Sequence, residues 1–210
     1  MTRKQKQLSF LPEAKREKFQ PPWEQARSLE ELEQIVSDCR SCRLRDSCRQ
    51  VVFGEGNSKA EIMLVGEGPG RAEDEIGRPF VGAAGELLDK IFSAAGLQRA
   101  EVFICNVVKC RPPGNRLPTP DEVRACLPYL RAQLRIIKPK IVISLGALAS
   151  QTLIDPSVRI TRDRGRWISK DGLLIMPTFH PAALLRDPKK KKPVWDDIQA
   201  VMRRYEQMKG

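Results

Sequence analysis

No stretch of this 210-residue chain approaches the ~20 consecutive apolar residues that a membrane helix needs. Its start, MTRKQKQLSF, is basic but lacks the apolar segment of a signal peptide. On these two absences the protein is expected in the cytoplasm. There is no internal repeat, and the length leaves little room for a second domain beside one full hydrophobic core. Acidic residues are in the minority, 26 against 37 Lys plus Arg, and the resulting charge of +11 favours a polyanionic partner. Nucleic acid leads, with an acidic membrane surface second. Histidine is all but missing, since His180 stands alone, whereas cysteine occurs six times. In a reducing compartment those six are metal ligands or free thiols rather than a disulfide framework.

Residues 1–27 are rich in Lys, Arg, Gln and Glu and end near Pro21-Pro22, which predicts a basic, flexible tail ahead of a single domain over 28–210. Residues 28–36, SLEELEQIV, predict a helix with Ser28 as N-cap and Glu31 completing a capping box. Four apolar runs, at 61–65, 102–108, 140–145 and 173–177, predict strands. Helical patterns lie between and after them, at 84–95, 121–137, 147–153 and 195–208. Alternating strands and helices predict an α/β fold with a mostly parallel sheet covered on both faces. Loops at the strands' carboxyl ends then gather into one crevice, placing residues 66–80, 106–116 and 179–186 around one site.

The glycine-rich loop GEGPGRAEDEIGRPFVG follows the first strand, where a phosphate cradle is often found. A dinucleotide fingerprint needs glycine at position 71, which is Arg71, and Pro69 interrupts the turn. No Gly-Lys-Ser/Thr follows, so a nucleotide-binding P-loop is excluded as well. The loop carries Glu67, Glu73 and Asp74 instead. Several carboxylates repel phosphate, and they suit general-base or hydrogen-bonding work. The alternative is that Glu73 and Asp74 simply favour a helix N-terminus.

Cys39 and Cys42 form a chelating pair, Cys110 follows the second strand, and Cys126 lies in or near a helix. Four thiolates satisfy either tetrahedral zinc or an iron–sulfur cluster, and the long second spacing leans towards the cluster. Cys48 is an alternative to Cys39 or Cys42, while Cys105 sits in an apolar run as a small hydrophobe.

These segments together resemble the type-4 uracil-DNA glycosylases, the iron–sulfur branch of the uracil-DNA glycosylase superfamily. The resemblance rests on GEGPGRAEDEIGRPFVGAAGELLD, NVVKCRPPGNRLPTPDEVRACLPYL, ISLGALA, RGRW and HPAALLR, with the Cys39/Cys42 pair, in the expected order over roughly residues 38–205. Arg71 and Ala72 depart from it, standing where acidic residues are frequent. The resemblance implies a three-layer α/β/α sandwich with a four-stranded parallel sheet, and a [4Fe-4S] cluster on Cys39, Cys42, Cys110 and Cys126. It also implies base excision repair: hydrolysis of uracil from uracil-containing DNA by base flipping.

Carried over by position, Phe80 stacks on uracil, Asn106 reads the base edge, and His180 donates to uracil O2 as charge develops on the leaving base. Glu73 is assigned to water activation and Glu67 to hydrogen bonding in the pocket, with Asp74 as a substitute. Gly68 stands where other branches carry a catalytic aspartate. Leu184 is the implied wedge, beside Leu185 and Arg186. Asn115 belongs to a motif near the site; from their charge, Arg111, Arg116, Arg164, Arg166 and the lysines at 189–192 are candidate phosphate contacts, the lysine run having a solvated face as its alternative. The protein is expected to be a monomer. Gln7 to Leu11, QLSFL, loosely resembles peptides that dock on sliding clamps. The rivals are a non-enzymatic iron–sulfur DNA-binding protein and a branch that traps uracil-DNA covalently through a histidine in a basic loop, which this chain lacks.

Overall fold

In the computed structural model, which describes residues 21–209, the apolar runs pair into one mixed sheet of six strands. The strands are β1 (Glu55–Gly56), β2 (Ile62–Gly66), β3 (Phe103–Asn106), β4 (Ile141–Leu145), β5 (Ile168–Lys170) and β6 (Leu173–Thr178). Their spatial order is β1-β3-β2-β4-β6-β5. The four central strands are parallel, as expected; β1 and β5 add antiparallel edges absent from the sequence reading. Strands of two and three residues are too short to show a period.

The helices are α1 (Pro22–Gln25), α2 (Leu29–Ser37), α3 (Leu44–Ser47), α4 (Arg71–Ile76), α5 (Ala83–Ala94), α6 (Pro120–Ile137), α7 (Ala147–Leu153), α8 (Ile160–Asp163), α9 (Pro181–Arg186) and α10 (Lys191–Lys209). They cover both faces of the sheet, giving a three-layer α/β/α sandwich. Ile62, Leu64, Ile104 and Met176 pack with Leu88 of α5, Leu184 of α9 and Ile198 of α10. Their chain neighbours Met63, Val65, Cys105 and Ile175 join the opposite core with Leu32 of α2 and Leu130 of α6. Strand residues of both parities are therefore buried, the signature of a parallel sheet between helices. Among the described residues no helix is long and apolar enough to cross a membrane.

Three expectations shift. Ser28 does cap α2, accepting from the Glu31 N–H at 3.2 Å, but the Glu31 carboxylate turns to the Arg27 N–H at 2.8 Å, so the capping box is not closed on Ser28. The packed body begins at about residue 21 rather than 28. Trp23 meets Tyr129 edge-on at 5.5 Å, Ala26 is buried, and Arg135 donates to the carbonyls of Trp23 and Ala26. The clamp-like QLSFL lies outside the described residues. The last helix starts at Lys191, not 195, because Pro193 falls in its first turn where a missing N–H costs nothing.

β2 lies between β3 and β4, and the chain leaves it to one side and later returns to the other. Such a switch point opens a crevice at the carboxyl ends of the strands.

Candidate active site

The crevice is a cleft of roughly 650 Å³. Glu67, Gly68, Glu73, Phe80, Asn106, Asn115, His180 and Arg186 all line it, joined by Gly146 and Ala147 from the ISLGALA segment. Leu184, Leu185, Arg164 and Arg166 do not.

Asn106 ends β3 and is 2% exposed. Its Oδ1 is the one buried side-chain polar atom without a hydrogen-bond partner among the described residues. A buried amide oxygen left unpaired costs on the order of 1–3 kcal/mol, which a ligand N–H at that point recovers. The Asn106 backbone is braced from below. Buried Lys109 donates through Nζ to the Asn106 carbonyl at 2.8 Å and to Gln133 Oε1 at 2.6 Å, and Gln133 Nε2 donates to Phe53 O at 2.9 Å. Gly66 lets this amide and the Phe80 ring close over β2: a Cβ there would lie 2.4 Å from Asn106 Oδ1 and 2.6 Å from the ring.

Phe80 presents its ring from a left-handed backbone, φ 53°, and its ring and that of His180 lie 5.5 Å apart at 27°. His180 is the N-cap of α9, and its Nδ1 accepts the Ala182 N–H at 3.2 Å. A neutral imidazole that accepts at Nδ1 carries its proton on Nε2, leaving that group as a donor. Burial, assisted by the Arg186 charge and opposed by Glu73, lowers the His180 pKa to about 4, so the ring is neutral at pH 7.

The carboxylates divide differently from expectation. Glu73 is buried and saturated: its two oxygens accept from the N–H groups of Gly70 (3.1 Å), Val81 (2.9 Å) and Gly82 (2.9 Å). A carboxylate whose oxygens are taken up by three backbone donors holds a loop in place. Asp74, the expected substitute, is likewise engaged, by the backbone N–H groups of Arg49 at 2.9 Å and Gln50 at 3.4 Å. Glu67 accepts a long bond from Leu148 N at 3.3 Å and a lesser one from the Ala147 N–H, and burial raises its pKa above 4.5 despite these bonds and Arg186. Of the three, Glu67 is the one with free acceptor capacity in the cleft.

Several expected DNA contacts have partners within the chain. Leu184, the implied wedge, is 1% exposed and packs into the core, while its neighbour Leu185 is 50% exposed. On a helix of six residues, one step in sequence turns the side chain from core to solvent. Arg164 donates to buried Asp197, at 3.0 Å from Nε, and to the Pro193 carbonyl; Thr178 completes the Asp197 site at 2.6 Å. It therefore ties the end of β6 to α10. Arg116 forks onto Glu122 at 2.7 and 2.8 Å, Arg111 bonds Asn115 at 2.7 Å, and Lys190 and Lys192 pair with Asp187 and Asp196. Exposed Arg166, Arg186, Lys189 and Lys191 have no ion-pair partner among the described residues.

Cys39, Cys42, Cys110 and Cys126 line one small cavity on the far side of β3. Tyr129 OH and Lys109 N–H donate to Cys39 and Cys126 sulfur at 3.2 and 3.3 Å. Burial pushes the Cys126 thiol up to about 11 and Cys110 further, the latter with help from Cys48. Cys48 is buried beside Cys110 but does not line the cavity, and Cys105 is wholly buried in β3. Among the described residues no three His, Cys, Asp or Glu side chains already form a metal-binding group.

Lys109 and Asp197 escape a reading of the sequence, since a buried lysine or aspartate looks like any surface charge until its distant partner is known. A profile of the uracil DNA glycosylase superfamily matches residues 53–199. The type-4 uracil-DNA glycosylase of Thermotoga maritima is 47% identical over 180 residues, covering 81% of this chain and 93% of that protein. Those of Sulfurisphaera tokodaii and Pyrobaculum aerophilum are each 45% identical, over 83% and 76% of this chain and 83% and 86% of their own.

Proposed function

This chain belongs to the uracil-DNA glycosylase superfamily, with the type-4 enzymes, and from that premise we propose how its cleft excises uracil from DNA. The protein is a DNA repair enzyme, a uracil-DNA glycosylase that leaves an abasic site. The observation that carries the base assignment is the orphaned Oδ1 of Asn106: it accepts uracil N3–H while the Asn106 amide group donates to O4. Cytosine presents an acceptor at N3 and a donor at position 4, leaving both groups mismatched in a buried site.

A base inside a duplex is out of reach, so the nucleotide leaves the stack and enters the cleft. Phe80 supports its ring. Exposed Leu185, rather than Leu184, fills the gap in the duplex, flanked by Arg186. Arg166, Lys189 and Lys191 contact phosphates without reading sequence. In the reaction the C1′–N1 bond breaks, its electron pair leaves on the uracil, and the charge at O2 is met by the His180 Nε2–H. A neutral donor suits this step, because it need not lose a proton. Glu67 orients water towards C1′ and takes its proton as the new C–O bond forms, and its charge favours the oxocarbenium-like sugar. Glu73 keeps Gly70, Val81 and Gly82 in place around them.

The cysteine cavity fits a [4Fe-4S] cluster: its donor set is four thiols from three separate segments, with N–H and O–H groups already aimed at sulfur. Cys39, Cys42, Cys110 and Cys126 are the ligands in this reading, and Cys48 is a neighbour. When bound, the cluster supplies a crosslink between the segment joining α2 to α3, the segment after β3, and α6. The protein works in the cytoplasm as a monomer. Incubation with a uracil-containing oligonucleotide followed by alkali tests the reading: strand breakage by the wild type that Asn106→Ala and His180→Ala greatly reduce is expected, and no breakage by the wild type contradicts it.

A further inference from the structure

The Phe80 platform stands on a backbone that a bulky residue disfavours. A left-handed conformation brings an L-residue's Cβ against its own backbone, so something must hold Phe80 at φ 53°. Gly85 permits it, because a Cβ at 85 would lie 1.8 Å from the Phe80 carbonyl oxygen. Glu73 fixes the two N–H groups that follow, at Val81 and Gly82. The two carbonyls at and before Phe80 are held from the other side by Arg99. Its Nη1 donates to Phe80 O at 3.1 Å and its Nη2 to Pro79 O.

Arg99 is itself aimed. Its Nε donates to Glu55 on β1 at 2.5 Å and its Nη1 to Asp89 on α5 at 3.0 Å, and Glu55 also receives Arg78 at 2.6 Å. The Arg99 and Glu55 side chains are only about one-fifth exposed, so the pair is shielded enough to stay formed. None of Arg99, Glu55, Arg78 or Asp89 lines the cleft. A planar guanidinium that spans two consecutive carbonyls while anchored to two carboxylates sets direction as well as position, which a lysine's point charge does not.

We propose that Arg99 is a positioning residue for base recognition: oriented by Glu55 and Asp89, it locks the Pro79–Phe80 backbone and so presents the Phe80 ring to the flipped base. Edge strand β1 thereby takes part in the reaction by carrying Glu55 to it. The inference rests on the reading of the cleft as a uracil pocket.

The test is Arg99→Leu made alone and in a Phe80→Ala background, with kcat/KM for uracil excision, inhibition by free uracil, and affinity for abasic-site DNA as readouts. In the native background a ten- to hundredfold loss in kcat/KM is expected, as for small misplacements at reacting groups, with weaker inhibition by uracil and unchanged abasic-DNA affinity. In the Phe80→Ala background the same substitution has little left to act through, and Arg99→Lys falls between Leu and wild type. An equal loss in both backgrounds, or lowered thermal stability with kcat/KM intact, overturns the proposal. Should Arg99→Leu not fold, Glu55→Gln takes its place with the same expected dependence on Phe80 and the same contrary outcome. A wild type that releases no uracil overturns the excision reading itself, which the wild-type arm reveals separately.

Discussion

Acidification is a direct probe of His180. In the folded chain it titrates at about 4 against an ordinary 6.5, because burial and Arg186 disfavour the imidazolium. Between those two values the unfolded chain binds a proton that the folded chain refuses. Stability is therefore fully present above pH 6.5, is lost as pH falls towards 4, and changes no further from this group below that. The gap from 6.5 to about 4 amounts to roughly 3 kcal/mol at 1.36 kcal/mol per pH unit, of which about 2 kcal/mol is spent by pH 4.5. The assay is urea denaturation of the wild type and His180→Gln at pH 7 and pH 4.5. The wild type should lose about 2 kcal/mol more than the variant over that interval. In parallel, excision should show no ionisation near 6.5, and its acid limb should vanish in Glu67→Gln, whose parent carboxyl titrates above 4.5. Equal acid losses in both proteins, or a rate profile with a pKa near 6.5 that His180→Gln abolishes, would refute the neutral-donor assignment.

Three further outcomes separate scaffold from chemistry. Glu73→Ala removes the acceptor for three backbone N–H groups and should cost about 3 kcal/mol in urea denaturation; full stability with abolished excision would return Glu73 to the chemical step. Leu184→Ala should destabilise by about 3 kcal/mol, whereas Leu185→Ala should leave stability alone and slow excision from duplex more than from single-stranded DNA; the reverse pattern would restore Leu184 as the wedge. Arg164→Met strands buried Asp197 and should cost about 3 kcal/mol without altering the salt dependence of DNA binding, while Arg166→Ala should lower that salt slope by about one; a lowered slope in Arg164→Met would show that it does meet phosphate.

Much of this architecture is legible in residue order. The four apolar runs locate the parallel strands to within a residue or two at most ends, and the rule for open sheets brings Glu67, Phe80, Asn106 and His180 to one crevice. Motif spacing likewise gathers Cys39, Cys42, Cys110 and Cys126 at one cavity. What escapes is anything decided by a partner distant in sequence. Glu73 has the residue type of a base, and only the approach of Val81 and Gly82 shows it to be a clamp. Arg164 has the look of a phosphate contact until Asp197, 33 residues away, claims it. Leu184 and Leu185 differ by one step of helical phase, which HPAALLR does not specify without the sheet beneath it. Lys109 and Arg99 carry their information in carbonyl oxygens, and backbone acceptors leave no trace in a sequence.

The central claim is that Asn106 reads the edge of uracil in a hydrolytic pocket. Mass spectrometry of the free base released from duplexes carrying one uracil or one cytosine at the same position tests it most directly, on wild type and Asn106→Ala. The wild type should release uracil and no cytosine, and Asn106→Ala should reduce uracil release at least a hundredfold, an interaction of about 3 kcal/mol. Uracil release by Asn106→Ala at the wild-type rate would contradict it.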